Sequence, residues 1–178
     1  QEAQMEVLRA AYERSGVKPD SIGYLEAHGT GTLLGDPIEI RAATKLFREF
    51  TEDKQFCGVG SVKSNLGHLL RAAGSAGVLK LMLALKHRMI PPTLNCDEPH
   101  PRFEFESSAF YPVKQAQVWE PKGGHLRGGI SSFGFGGTNC HMVVESTETF
   151  LPDYKASRVP SPLTSFQHCT LSRNAERS

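Results

Sequence analysis

The chain has 178 residues, carries 20 Lys and Arg against 19 Asp and Glu, and is 39% hydrophobic. This length and composition suit one globular domain or a piece of a larger one, and the near-neutral charge argues against nucleic-acid binding and against a polybasic membrane anchor. The longest apolar stretch, 72–85, is interrupted by Lys80 and is too short to span a bilayer, and residues 1–14 lack the apolar run of a signal peptide. We therefore expect no nucleic-acid partner and no membrane partner.

The cysteine content favours a reducing compartment, because the four cysteines form no CxxC pair and no dense framework. We therefore expect a cytoplasmic protein. Each cysteine is expected to serve as a buried small apolar group; the four are Cys57, Cys96, Cys140 and Cys169.

The first third of the chain predicts helix, strand, polar loop and helix in turn. Residues 2–15 have an apolar helical stripe, and Gly16 stands where a C-terminal cap belongs. A strand is predicted over 22–27, followed by a polar loop over 28–32. Asp36 then predicts an N-cap, with Pro37 at the first helical position and Glu39 in capping-box spacing. The apolar side of this second helix is expected to consist of Ala42, Ala43, Leu46, Phe47 and Phe50.

The same pattern repeats further along the chain. A buried strand over 56–62 precedes a loop over 63–68 and an Ala/Gly/Leu-rich helix over 69–87, which we expect to be buried on most sides. Residues 91–121 are predicted to be mostly irregular and superficial. Two strands, 129–133 and 140–145, are joined by a glycine turn. Two strand–loop–helix units in succession predict an α/β layered fold.

Three glycine-containing polar loops carry the candidate chemistry, since such loops gather at one edge of the sheet in layered α/β folds. His28 precedes Gly29, and His68 follows Gly67. The residues alone leave a structural and a catalytic role open for both histidines. The remaining histidines are expected to be solvated or to cap helices; they are His87, His100, His125, His141 and His168.

Other site classes find little support in the motif spacing. The glycines of 134–139 lack the last position of the dinucleotide-binding fingerprint, and the chain has neither a P-loop nor a GxSxG nucleophile elbow. No spacing of His and Cys resembles a zinc site, so we expect no bound metal.

Three long motifs, in order, resemble the C-terminal half of a β-ketoacyl synthase. They are Glu26-Ala-His-Gly-Thr-Gly-Thr32 with Gly35-Asp36-Pro37, Gly60-Ser-Val-Lys-Ser-Asn-Leu-Gly-His68, and Ser132-Phe-Gly-Phe-Gly-Gly-Thr-Asn139. The sequences of these motifs are most similar to those of the ketosynthase domains of modular type I polyketide synthases. Residues 92–119 resemble the corresponding segment of polyketide synthases that work without a built-in acyltransferase. The resemblance covers 1–146, while 147–178 resembles the linker that follows such domains but departs from it at His168-Cys169.

The resemblance implies a thiolase-like fold, in which two similar α/β halves stack as five αβαβα layers and the complete domain forms a homodimer. It implies that His28 and His68 belong to a catalytic triad with a cysteine, and that Lys63 organises the second histidine. The triad's reaction is chain elongation by decarboxylative Claisen condensation with a malonyl-type extender. No cofactor is expected on the chain, because the substrates are carried on the phosphopantetheine of an acyl carrier protein.

The resemblance also assigns the glycine turn and the first polar loop. Phe135 resembles a gate residue whose backbone N–H helps to form an oxyanion hole, and Gly134 and Gly136 would let the turn bend. Gly137 and Asn139 look like structural residues of that turn. Thr30 and Thr32 resemble the hydroxyls that bind the phosphopantetheine arm.

The chain also departs from the family. The nucleophilic cysteine is expected upstream, in an N-terminal half, because none of the four cysteines stands in a nucleophile-elbow context. Leu69-Leu70-Arg71 replaces a common acidic residue after His68.

The alternatives to elongation are a non-elongating ketosynthase that only transfers acyl chains, or a non-catalytic scaffold half-domain. The presence of both histidines favours condensation. We interpret Gln1 as a cut inside a domain, and expect an exposed apolar face and obligate association.

Overall fold

The computed structural model describes residues 1–134 and 136–147 as a layered α/β fold. The strands are β1 (Tyr24–Glu26), β2 (Cys57–Gly60), β3 (Met89–Ile90), β4 (Phe110–Pro112), β5 (Gln117–Val118), β6 (Arg127–Phe133) and β7 (Asn139–Glu145). The helices are α1 (Glu2–Ser15), α2 (Gly35–Phe47), α3 (Lys63–Leu66) and α4 (Ala73–His87), with short 3-10 turns at Pro19–Ser21 and Leu70–Ala72.

The main sheet has five strands in the order β4-β2-β1-β6-β7. The first four run parallel, and β7 pairs antiparallel with β6. β3 and β5 form a separate two-stranded antiparallel pair. The loops after β1 and β2 therefore leave neighbouring parallel strands at the same edge of the sheet.

Successive residues of β1 face opposite sides of this sheet, so each side has its own core. Leu25 lies in the core beneath α1 and α2, with Leu8, Phe47 and Phe110. Tyr24 lies in the core on the other side, with Leu81 of α4. The molecule thus has three layers, in which α1 and α2 cover one side of the sheet and α4 covers the other.

Several predicted elements are confirmed. The first helix covers 2–15, and Gly16 ends it in the left-handed conformation, with φ of 65°. The two C-terminal strands form the predicted antiparallel hairpin. The mixed α/β architecture agrees with the predicted fold class.

The start and end of α2 differ from the prediction. The helix begins at Gly35, and Asp36 is inside its first turn, where its Oδ1 accepts a hydrogen bond from the Gly31 N–H at 3.1 Å. Asp36 therefore braces the preceding loop and does not cap the helix. The helix ends at Phe47, and Phe50 lies beyond it as a 44% exposed side chain.

The prediction for 63–87, a loop followed by one long buried helix, was also wrong in part. Residues 63–66 form the one-turn helix α3, and a 3-10 turn separates it from α4. One face of α4 is buried, but its other face exposes three large apolar side chains at 53–60%: Leu79, Met82 and Leu83. The chain therefore has the exposed apolar face that the half-fold prediction required.

The prediction that 91–121 is superficial was wrong. This segment supplies β4, which pairs with β2, and β5, which pairs with β3. Phe105, Phe110 and Trp119 are all buried. The strands are only two or three residues long and one contains Pro112, so propensity alone could not reveal them.

Among the described residues, no helix combines the length and the apolar character needed to cross a membrane.

Candidate active site

The first histidine lies directly after β1, in a loop that a buried carboxyl group holds. Glu39 of α2 is 5% exposed, and its two carboxylate oxygens accept hydrogen bonds from the backbone N–H groups of His28, at 2.7 Å, and Gly29, at 3.0 Å. Gly29 has φ of +46°, and a Cβ there would lie 2.8 Å from Ser61 Cβ. Glycine is therefore required at this position both for its backbone conformation and for the close approach of the second loop.

The second histidine lies after β2, at the end of the turn that begins with α3. The backbone N–H of Leu70 donates to His68 Nδ1 at 3.0 Å. Because Nδ1 accepts a hydrogen bond, the neutral ring carries its proton on Nε2. His68 is exposed, so this N–H is available as a donor to a bound group.

The structure brings the two predicted histidines together. The His28 and His68 ring centroids are 5.7 Å apart, with an interplanar angle of 87°. The Phe133 ring, at the end of β6, lies 5.9 Å from the ring of His28 on another side. His28 Nδ1 is buried and has no hydrogen-bond partner among the residues that the structure describes.

The electrostatic environment keeps His28 uncharged. Burial, together with the electrostatic effects of Lys63 and His68, lowers the pKa of His28 from 6.5 to about 4. Burial also lowers the pKa of Lys63, although the carboxyl groups of Glu26, Glu39 and Asp36 oppose this. The neutral His28 imidazole suits a group that donates a hydrogen bond at neutral pH.

Glu39 is a site residue that sequence reasoning missed. Its position three residues after Asp36 predicts a capping box, but its carboxylate instead accepts hydrogen bonds from the backbone of the His28 loop. Burial raises the pKa of Glu39 from 4.5 to about 7, against the lowering effect of the Gly29 and His28 N–H groups. The sequence does contain a sign of this role, because a charged residue between Ile38 and Ile40, on a helix with a buried face, indicates a buried carboxyl group that needs a partner.

Thr30 and Thr32 lie on the exposed side of the same loop. Their Oγ1 atoms are 3.4 Å apart, and Thr32 Oγ1 accepts a hydrogen bond from the Gly35 N–H at 3.0 Å. Thr30 lines a cleft of about 330 Å³ together with Glu39 and Lys63. The predicted phosphopantetheine-binding role of both threonines stays a prediction.

The glycine turn is closed by backbone hydrogen bonds. The Gly134 N–H donates to Thr138 O at 2.9 Å, and the Gly137 N–H donates to Gly134 O at 3.1 Å. Gly137 has φ of +82°, whereas Gly136 is simply exposed. Asn139 is the first residue of β7 and pairs with Phe133 next to the turn, and its predicted structural role in the turn stays a prediction. Phe135, the predicted gate, lies outside the described residues.

His141 contradicts the expectation that the remaining histidines are solvated or capping. Its side chain is buried, with Nδ1 3.0 Å from Ser131 Oγ and Nε2 3.3 Å from Tyr12 OH. Burial lowers the pKa of His141 to about 4. The ring therefore links α1 to the β6–β7 hairpin in its neutral form. His168 lies outside the described residues.

The cysteines only partly match the expectation of small buried groups. Cys57 is buried, and burial raises its pKa far above the usual thiol range. Cys96 is half-buried, Cys140 is exposed in β7, and Cys169 lies outside the described residues. Within the described ranges, no three His, Cys, Asp or Glu side chains are grouped so that they could hold a metal ion.

Comparison with known proteins gives consistent matches. The family described as the C-terminal domain of β-ketoacyl synthase matches residues 1–97. The polyketide synthase PksN of Bacillus subtilis is 48% identical over 145 residues, and erythronolide synthase EryA3 of Saccharopolyspora erythraea is 44% identical over 162 residues. These matches cover 82% and 90% of this chain but only 3% and 5% of those proteins.

The solved structures agree. The ketosynthase from module 6 of the bacillaene synthase of Bacillus subtilis 168 superposes with a TM-score of 0.79 at 49% identity, covering 82% of this chain and 26% of that one. Ketosynthase twelve of the bacillaene synthase of Bacillus amyloliquefaciens also superposes with a TM-score of 0.79, at 41% identity. The chain thus spans about a quarter of the length of the solved ketosynthases that it matches.

Proposed function

The chain belongs to the β-ketoacyl synthase family, and from this premise we propose that it is the C-terminal half of a polyketide synthase ketosynthase that elongates acyl chains. The observation that carries the proposal is the pair of histidine rings, 5.7 Å apart at the end of neighbouring parallel strands. Two imidazole rings at this separation are close enough to offer N–H donors to the same bound group. Such donors stabilise the negative charge that develops when a malonyl group loses carbon dioxide.

The roles of the two histidines follow from their surroundings. His28 is kept neutral by burial, and its backbone is fixed by Glu39. His68 has its proton on Nε2, because Nδ1 accepts the Leu70 N–H. Lys63 is half-buried and lines the cleft together with Thr30, and its positive charge disfavours protonation of His28. We assign both histidines to enolate stabilisation and Lys63 to electrostatic organisation of the site.

The nucleophile is proposed to come from the N-terminal half of the ketosynthase. Cys57 is buried with a strongly raised pKa, so it cannot supply a thiolate at neutral pH. The exposed apolar face of α4, formed by Leu79, Met82 and Leu83, offers a surface for another domain layer. In the complete domain, proposed to be a cytoplasmic homodimer, this face would be covered.

The proposed reaction has two stages. The upstream cysteine thiolate first takes the acyl chain as a thioester, releasing the thiol of the donor phosphopantetheine. The malonyl carbon–carbon bond then breaks to give carbon dioxide and an enolate, whose oxygen accepts hydrogen bonds from His28 and His68. The enolate carbon attacks the acyl thioester carbonyl, a new carbon–carbon bond forms, and the cysteine leaves as thiolate.

The remaining residues are assigned to substrate binding. We propose that Thr30 and Thr32 bind the phosphopantetheine arm of an acyl carrier protein, and that the backbone N–H of Phe135 stabilises the tetrahedral oxyanion. Support for the threonines comes from their exposed position on the His28 loop. The glycines around Phe135 would allow the turn to move.

Co-expression of the chain with its N-terminal half, followed by a malonyl decarboxylation assay, tests this function. We expect acyl loading on the upstream cysteine and release of carbon dioxide from a malonyl carrier protein. An acyl-loaded pair that releases no carbon dioxide would overturn the elongating function and favour a non-elongating transferase. Failure to load at all would instead favour a scaffold role.

A further inference from the structure

We propose that Glu26 and Lys80 form a positioning pair that anchors the turn carrying Lys63 and His68 against the strand that carries His28. The inference rests on the proposed function, since positioning has meaning only for a reaction at the two histidines. The resemblance assigns no role to Glu26 or Lys80, and neither residue lines the cleft that Thr30 lines.

Glu26 is one of the most deeply buried charged side chains of the described residues, with 1% exposure. Its carboxylate Oε1 accepts a hydrogen bond from the Val62 N–H at 2.5 Å. Its Oε2 lies 2.8 Å from Tyr24 OH and 2.8 Å from Lys80 Nζ. Each carboxylate oxygen therefore has a defined partner, one from the turn after β2 and the other from β1 and α4.

Lys80 supplies the charge that a buried carboxylate needs. Its side chain is 10% exposed, and its Nζ also donates to Tyr24 OH at 2.8 Å. Gly77, one turn earlier in α4, makes this approach possible, because a Cβ there would lie 2.7 Å from Ile130 Cδ1 and 3.3 Å from Glu26 Cγ. The helix is thus held close enough for Lys80 to reach the end of β1.

The placement of Glu26 explains why this pair matters to the site. Glu26 is the last residue of β1, two positions before His28. Its acceptor oxygen holds Val62, the residue immediately before Lys63 at the start of α3. One side chain therefore connects the strand of the first histidine to the turn of the second. A turn that lost this anchor would let Lys63 and His68 move relative to His28.

The test separates the anchor from the charge by comparing two double variants of the co-expressed ketosynthase. Glu26→Gln with Lys80→Met removes both charges but keeps a carbonyl oxygen for the Val62 N–H. Glu26→Leu with Lys80→Met also removes both charges, and it removes the acceptor as well. Neither variant leaves an unpaired buried charge, so both are matched for the main cost of disrupting a buried pair.

We expect the Gln/Met variant to release carbon dioxide within about threefold of the wild-type rate. The Leu/Met variant should be slower by about tenfold or more, because small displacements of reacting groups carry large rate penalties, while acyl loading stays within about twofold. Equal decarboxylation by the two variants would overturn the proposal. A parallel loss of loading and decarboxylation in Leu/Met would also overturn it, since that pattern indicates general damage to the fold.

Two further measurements keep the outcome interpretable. If Leu/Met does not fold, as judged by thermal unfolding, Glu26→Asp keeps the charge pair but shortens the anchor, and should show the same split between loading and decarboxylation; a wild-type ratio would contradict the proposal. If the co-expressed wild-type ketosynthase itself releases no carbon dioxide, the proposed function fails. The positioning pair is then judged from crystal structures, in which a His28–His68 separation unchanged in Leu/Met would overturn it.

Discussion

Replacing Glu39 by Ala tests how the His28 loop is held. The substitution removes the acceptor for two backbone N–H groups, those of His28 and Gly29, which lie 2.7 and 3.0 Å from the carboxylate. A buried donor left without a partner costs about 1–3 kcal/mol. Because the His28 and Gly29 N–H groups are only partly buried, the two together should destabilise the fold by on the order of 3 kcal/mol near pH 5.

The pH dependence of this effect has a definite sign. The pKa of Glu39 is about 7 in the folded chain, above its ordinary value of 4.5. The folded state therefore binds more protons than the unfolded state between these pH values. As a result, the contribution of Glu39 to the free energy of unfolding decreases as pH rises through that window. The destabilisation by Glu39→Ala should therefore be largest below about pH 4.5, and it should decrease by about 2.5 kcal/mol between pH 5 and pH 8.

Urea unfolding of the co-expressed ketosynthase at both pH values measures this difference, with hydrogen exchange of the His28 and Gly29 amides as the local readout. Glu39→Gln, which keeps one acceptor oxygen, should lie between wild type and Glu39→Ala. Glu52→Gln is the matched control, because its side chain is 93% exposed and should change neither quantity. Wild-type stability and wild-type amide protection in Glu39→Ala would refute the reasoning.

Three other substitutions have defined outcomes. Gly29→Ala should lower the melting temperature and the decarboxylation rate more than Gly31→Ala, since both have positive φ but only Gly29 faces Ser61, at 2.8 Å; equal effects would contradict the crowding argument. The folded pKa of His141 is lowered to about 4, so the contribution of this histidine to stability decreases as pH falls below 6.5, by about 2 kcal/mol at pH 5. In urea titrations, His141→Gln should therefore become more stable relative to wild type by about this amount between pH 8 and pH 5; a difference from wild type that does not change with pH would exclude His141 as the source. His28→Ala should abolish condensation but leave acyl loading largely intact, as measured by intact-protein mass spectrometry; equal loss of both would make His28 a structural residue.

The sequence predicted those parts of the structure that depend on local signals. Helix α1 with its Gly16 cap, the β6–β7 hairpin, and the approach of the His28 and His68 loops all follow from short motifs. Each of these features is encoded within a few consecutive residues, or within parallel strands that end at the same sheet edge.

The parts that could not be predicted depend on contacts between distant segments. Glu39 accepts a hydrogen bond from the backbone of His28, eleven residues before it, and Lys80 forms an ion pair with Glu26 on β1. Such pairs leave one local sign, a charged residue within an apolar pattern, but that sign does not identify the partner. β4 escaped prediction for a related reason, because three residues ending in Pro112 form a strand only when β2 is beside them.

The most direct test of the central claim is the mass of the product left on the acyl carrier protein after the acyl-loaded, co-expressed ketosynthase meets a malonyl carrier protein. We expect a β-ketoacyl chain that is longer by two carbons, formed together with carbon dioxide and lost in His28→Ala. Recovery of the unextended acyl chain on the carrier protein, with the malonyl group intact, would contradict it.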